Sequence, residues 1–168
     1  MRPAFWLLAG LVLVLDQFTK YLVEHNLPLN GPSAPFLPGV MVLTHVHNPG
    51  VAFGQFRNGG PLLVLTALVA AGGIVWYRWK LGKQGLPVPW LLEFGLALPL
   101  GGAVGNMLDR IRLGKVVDFF DLGWFPVFNV ADSAITVGAV ALLIFYLILA
   151  PADPRPAVIA PVSEEAGA

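Results

Sequence analysis

The stretch SAITVGAVALLIFYLILA, residues 133–150, runs 18 positions without a charged side chain. At about 1.5 Å per residue a helix of that length covers most of a hydrocarbon core roughly 30 Å thick. Working back towards the N-terminus, apolar segments of similar reach occupy residues 5–23, 61–77 and 90–108. The whole chain is 57% hydrophobic and only 12% charged, against roughly 25% charged in an ordinary soluble domain. Its mean hydropathy is +0.74. A soluble fold would leave much of this apolar surface unburied, so the expected class is a membrane all-α protein. Residues 1–150 are expected to form a single integral membrane domain of four transmembrane helices. The first segment resembles a secretory leader, because Arg2 precedes an apolar run. Asp16 and Lys20 interrupt it and no small-x-small cleavage site follows, so it is expected to stay in place.

Aromatic residues gather at the segment ends, at Phe5 and Trp6, at Trp76, Tyr77 and Trp79, and at Trp90. Such residues favour the headgroup level of a bilayer. Four spans put both termini on one side, together with the short turn 78–89 and its Arg78, Lys80 and Lys83. The positive-inside rule makes that side cytoplasmic, although Arg57, Arg110, Arg112 and Lys115 fall on the other. The outer segments are then 24–60 and 109–132. Within the first, MVLTHVHN (41–48) and VAFGQF (51–56) read as short strands, which predicts a small extracytoplasmic β element. Residues 151–168, rich in Pro and acidic side chains, read as a disordered cytoplasmic tail.

Formal net charge is zero and no basic block is present, so nucleic acid is not an expected partner. Cysteine is absent, which excludes disulfides, thiolate metal sites and a cysteine nucleophile.

Charged groups inside or at the edge of a span cost a few kcal/mol and need a partner or a wet cavity. Asp16 and Lys20 stand four residues apart, on one helix face, as an ion pair able to lock the first span into the bundle. Gly101 and Gly105 form a small-xxx-small face for close helix approach. Asn106, Asp109 and Arg110 follow, two hydrogen-bonding side chains and an ion-pair candidate at one helix end, whereas Glu93 is most simply interfacial.

Two further acids stand out in VVDFFDLGWFPVFNVADS, residues 116–133. Asp118 lies between two valines and two phenylalanines, near the outer end of the third span, and Asp132 opens the fourth. Asn129 and Asp132 have the spacing of a helix N-cap with a reciprocal acidic partner, which accounts for Asp132 by structure alone. Capping leaves the apolar-flanked Asp118 unexplained. Two carboxylates sharing one water do not both ionise easily, and that division provides a general base and a general acid for hydrolysis.

Together DQFTK (16–20), NPGVAFG (48–54), GNMLDR (105–110), VVDFFD (116–121) and FNVADS (128–133) resemble lipoprotein signal peptidase, signal peptidase II. The resemblance implies an aspartic endopeptidase of the bacterial inner membrane, with its active site toward the outer face. Such an enzyme removes signal peptides from diacylglyceryl-modified prolipoproteins, cutting just before the lipidated cysteine. By motif, Asp118 and Asp132 correspond to the catalytic pair. Asn48, Asn106, Arg110 and Asn129 correspond to pocket-lining polar residues, and Asp16, Lys20 and Asp109 to supporting ones. The family implies no metal or organic cofactor, contact with membrane lipids, and inhibition by globomycin-type cyclic peptides. The outer loop around Asn48 is expected to act as a lid over the site.

Three other readings compete. Asp16, Lys20, Asp118 and Asp132 are the groups a proton or ion path would use, but they cluster toward one face. His45 and His47 share a strand face and offer either a base for Ser133 or a pair of metal ligands, and otherwise read as surface residues. A purely structural membrane subunit leaves the costly polar groups without a purpose.

Overall fold

The computed structural model describes residues 3–50, 60–85 and 87–149. Four helices are long and apolar enough to cross a membrane. They are α1 (Pro3–Asn26), α2 (Gly60–Lys83), α3 (Trp90–Leu113) and α4 (Val130–Ile144), the last continued by a π-helical turn, Phe145–Leu149. Each reaches beyond its apolar segment at one end or both, into the polar residues that flank it. Leu7, Leu11, Val14 and Phe18 of α1, Leu65 and Val69 of α2, and Leu147 and Ile148 after α4 point outward, an apolar surface suited to lipid.

The hub is α3, which packs against each of the other three helices. Its glycines make this possible. A side chain at Gly101 would meet the Ala9 carbonyl of α1 at 2.5 Å, and one at Gly102 the Ala131 carbonyl of α4 at 2.5 Å. At Gly105 it would strike the Asp16 carboxylate. The expected small-residue face thus brings α1 against α3, and Gly102 does the same for α4. Pro99, inside α3, lays its ring against Gly138 of α4.

By contrast α2 buries only Arg78. Arg78 is no loop charge: it lies within the helix, 2% exposed, and grips Glu93 of α3 through Nε–Oε2 at 2.7 Å and Nη2–Oε1 at 2.6 Å. Glu93 is correspondingly buried, not interfacial, since a buried carboxylate is tolerated when a bidentate guanidinium neutralises it. Phe5, expected in the aromatic belt, is also buried, with Arg78 stacked 5.9 Å from its ring centre. Trp6, Trp76, Trp79 and Trp90 remain exposed as belt residues should be, and Lys80 and Lys83 lie over the Trp76 and Trp79 rings.

A three-stranded antiparallel sheet, β1 (Ala34–Leu37), β2 (Met41–Asn48) and β3 (Val116–Asp121), covers one end of the bundle. Only β2 was expected; the strand read at 51–56 lies outside the described residues, as does the tail 151–168. The unexpected β3 also relocates Asp118, which sits on a strand and not on a helix end. Gly114, in the left-handed region at φ 70°, closes α3 by donating its N–H to the Arg110 carbonyl. The chain then turns back along β2, pairing Asp118 with Val46 and Val116 with Asn48. Val117 and Phe119, on the opposite face, pack over Val23 of α1 and fix the sheet to the helices.

Candidate active site

Two elements that meet by non-local pairing carry the two acids. Asp118 projects from β3 beside Asn48, its diagonal neighbour on β2, and Asn48 Nδ2 donates to Asp118 Oδ2 at 2.8 Å. The other oxygen, Oδ1, accepts from Asn129 Nδ2 at 2.7 Å. Asp132 lies in the first turn of α4, where its Oδ2 accepts the Asn129 N–H while Asn129 Oδ1 accepts the Asp132 N–H, at 3.2 and 2.9 Å. This is the expected capping box, and the same Asn129 side chain reaches Asp118. Capping and pairing of the acids are therefore one arrangement. Asn106 of α3 completes it, donating to Asp132 Oδ1 at 2.8 Å and accepting from Asn129 at 3.1 Å.

Below the pair, Lys20 divides its ammonium among Asp16 Oδ2 (2.8 Å), Asp109 Oδ2 (2.8 Å) and Asn106 Oδ1 (2.9 Å). All three of its protons are satisfied in a fully buried setting. The ion-pair partner of Asp109 is thus Lys20 and not the adjacent Arg110, whose position one residue on turns it to another face of the helix. Arg110 Nη1 makes a long 3.3 Å bond to the Asn106 carbonyl, and its buried Nε has no partner among the described residues. Asp16 Oδ1 accepts the Ala131 N–H at 2.9 Å and Asp109 Oδ2 the Val117 N–H at 3.1 Å. These two carboxylates therefore hold in place the backbone that carries both Asp118 and Asp132.

Gln17 belongs to the site although nothing in its type or spacing singled it out. Its Nε2 donates to Asp109 Oδ1 at 3.0 Å and to the Gly105 carbonyl at 3.2 Å, tying α1 to α3. Its position beside Asp16 in DQFTK was the only available signal.

His45 and His47 point away, toward the end of α1. His45 Nδ1 bonds the Leu27 carbonyl at 2.9 Å, and Ser133 Oγ donates to the Asn129 carbonyl at 3.0 Å, so no Ser–His pair forms. His45 is buried, not a surface residue, because a bulge between Leu43 and Val46 turns it under the sheet. Burial first, and then the neighbouring His45 charge, hold His47 below the usual imidazole range.

Desolvation dominates at Asp118 and lifts its carboxyl from 3.8 to about 6. The Asn48 and Asn129 N–H groups oppose the shift, and the Asp132 charge adds to it. Because the folded value lies above the unfolded one, the protonated form favours folding. Its contribution is complete below about pH 4 and is lost as pH rises to about 6, an effect on the order of 2–3 kcal/mol. Thermal unfolding in detergent between pH 4 and 7 should show this decline, and Asp118→Asn should flatten it. An unchanged slope in the variant would assign the decline to other groups.

Asp132 lies where two grooves meet. One, about 530 Å³, runs under Trp124, Phe125 and Phe128 and along Ser133 and Val137 of α4. The other, about 420 Å³, lies between α2 and α4 on a floor of α3. A buried acid held partly protonated beside a second acid that opens on two grooves can exchange protons with a bound water and an amide.

Fold and site together define a class: a multi-pass membrane enzyme whose polar centre lies at one end of its helices. The chain belongs to the signal peptidase II family, for the family described as signal peptidase (SPase) II matches residues 8–148. It is thereby a peptidase of aspartic type. The lipoprotein signal peptidase of Moorella thermoacetica is 47% identical over 139 residues, covering 82% of this chain and 89% of the relative. That of Symbiobacterium thermophilum is 44% identical over 146 residues, covering 84% and 92%. A bacterial membrane enzyme solved by the in meso method at 2.3 Å superposes with a TM-score of 0.76 at 26% identity, over 91% of this chain and 95% of its own.

Proposed function

We propose that this protein removes the signal peptide from diacylglyceryl-modified prolipoproteins by cutting just before the lipidated cysteine. The observation that carries the reading is the single Asn129 side chain bonded to Asp118 and to the backbone of Asp132. Asp118, which keeps its proton to about pH 6, acts as the acid and Asp132 as the base. A water loses its proton to Asp132 and attacks the scissile carbonyl carbon, while Asp118 protonates the carbonyl oxygen. On collapse the C–N bond breaks, Asp132 gives its proton to the departing nitrogen, and a hydroxyl proton of the gem-diol returns to Asp118 as the new carboxyl forms. Asn48, Asn106 and Asn129 orient the two acids, Arg110 offers its free N–H groups to substrate carbonyls, and Asp16, Lys20 and Asp109 support the frame.

The protein works in the bacterial inner membrane, with residues 1–150 as one peptidase domain. Lys80 and Lys83 face the cytoplasm with both termini and the 151–168 tail, and the sheet and the acids lie at the outer face. The substrate's lipid then holds the scissile bond at the depth of the acids. A cyclic peptide such as globomycin, offering a carbonyl to the pair, should block the reaction. The test is a gel-shift assay with purified protein and a diacylated precursor. Loss of the signal peptide, absent for an unlipidated precursor, is the expected result; equal cleavage of both would overturn the substrate assignment.

A further inference from the structure

We infer that His45 and His47 of β2 form a binding site for a borderline divalent cation of the zinc class, under the sheet and on the face opposite the acids. The inference is independent of the peptidase reading and concerns a pair of side chains that hydrolysis leaves unused.

Strand pairing puts the two histidines there. His47 lies opposite Val117 of β3, whereas Val46 lies opposite Asp118. Successive residues of a strand face opposite sides, so His47 is turned from the acids. The bulge between Leu43 and Val46 brings His45 under the same face. The two ring centres stand 5.2 Å apart with their planes at 79°. Two imidazoles bound through nitrogen to one tetrahedral ion at about 2.0 Å have their ring centres about 5 Å apart. The observed spacing fits a chelating pair.

Hydrogen bonding leaves the same ring nitrogen free on both side chains. His45 is held twice by the turn after α1: its carbonyl accepts the Asn30 N–H at 2.8 Å, and its Nδ1 bonds the Leu27 carbonyl at 2.9 Å. A carbonyl only accepts, so Nδ1 carries the proton and Nε2 the lone pair. Metal-binding histidines are oriented in this way, by donating from the far nitrogen to a carbonyl or carboxylate. Nε2 of His45 and Nε2 of His47 are both buried and have no hydrogen-bond partner among the described residues. A buried ring nitrogen without a partner is costly, and one shared cation satisfies both.

The donor set selects the ion. Neutral imidazole suits zinc, copper and nickel, whereas calcium and magnesium require oxygen. Among the described residues no third His, Cys, Asp or Glu completes a metal-binding cluster. Water therefore fills the remaining positions, and the ion exchanges more readily than one in a closed four-ligand site. The charges around His47 are mixed: Lys115 opposes a cation, and Glu24 and Asp109 favour it. Bound there, the ion braces β2 immediately before Asn48, whose amide donates to Asp118 at 2.8 Å.

The chain has three histidines, so each can be tested singly in the full-length protein, purified in detergent without a histidine tag. Zn2+ at about a hundredfold above its Kd should raise the melting temperature by about 5–10 °C, and Mg2+ should not. His47→Asn, and His45→Asn, which keeps an amide donor for the Leu27 carbonyl, should each weaken Zn2+ binding roughly tenfold or more in equilibrium dialysis. His25→Asn should leave binding unchanged, since His25 lies exposed on α1. Cu2+ as a spin probe needs no variant: on the unmodified chain its spectrum should show coupling to two imidazole nitrogens. Undiminished Zn2+ binding in His47→Asn, loss of it in His25→Asn, or a Cu2+ spectrum coupled to fewer than two imidazoles would overturn the site.

Discussion

Replacing either Asp118 or Asp132 by Asn should lower cleavage of a lipidated precursor by roughly a thousandfold or more, since each removes one half of a general acid–base pair. The fold should survive both changes, for different reasons. At position 118 an amide keeps one oxygen for the Asn48 and Asn129 donors in place of two, a cost of about 1–3 kcal/mol. Removing a charge from a desolvated strand offsets much of that at neutral pH. At position 132 the reciprocal half of the capping box weakens, but Asn129 still accepts the N–H of residue 132, so about 1 kcal/mol is at risk. Expression and melting temperature near wild type, with no processed product, is the expected outcome for each variant. Full activity in either would sink the proposed pair, and partial activity in Asp118→Asn alone would move the acid role elsewhere.

What the sequence disclosed and what it hid divide along a physical line. Apolar runs, glycine spacing, the Asp16–Lys20 interval and the Asn129–Asp132 cap are local, and each appears in the fold as read. Groups whose roles depend on a distant partner were misplaced. Asp118 read as the end of a helix because nothing within VVDFFD reveals that β2 lies alongside it. Asp109 read as a partner for Arg110 because proximity in the chain is visible and Lys20 on another helix is not. Arg78 read as a turn charge and Glu93 as an interfacial one, although the short connection between α2 and α3 brings them into one bidentate pair. Ordered motifs made the set of site residues legible well before their wiring: they pointed to Asn48, Asn106 and Asn129, but only the fold shows that these three hold the acids in one hydrogen-bonded chain. Gln17 escaped even that, since its value lies wholly in bridging α1 to α3.

Lys20 provides the sharpest separation of support from chemistry. Lys20→Met should destabilise the protein by about 3–5 kcal/mol, because it leaves a fully buried ion cluster without its cation. The loss exceeds that of a simple Asp16–Lys20 pair: Lys20 neutralises Asp109 as well, and each carboxylate in turn holds a backbone N–H, of Ala131 and of Val117. A fall in melting temperature on the order of 10 °C in detergent is the measurable consequence for a chain of this size. If the loss is electrostatic, the triple variant Asp16→Asn, Lys20→Met, Asp109→Asn should recover most of it, since no uncompensated charge remains and both amides can still accept from the backbone. Activity should return with stability only in part, because Asn106 then loses the Lys20 contact that holds its oxygen and leaves its amide facing Asp132. Were Lys20→Met to melt with the wild type yet fail to cleave, the lysine would belong to the reaction itself, with its charge acting on the acids through Asn106.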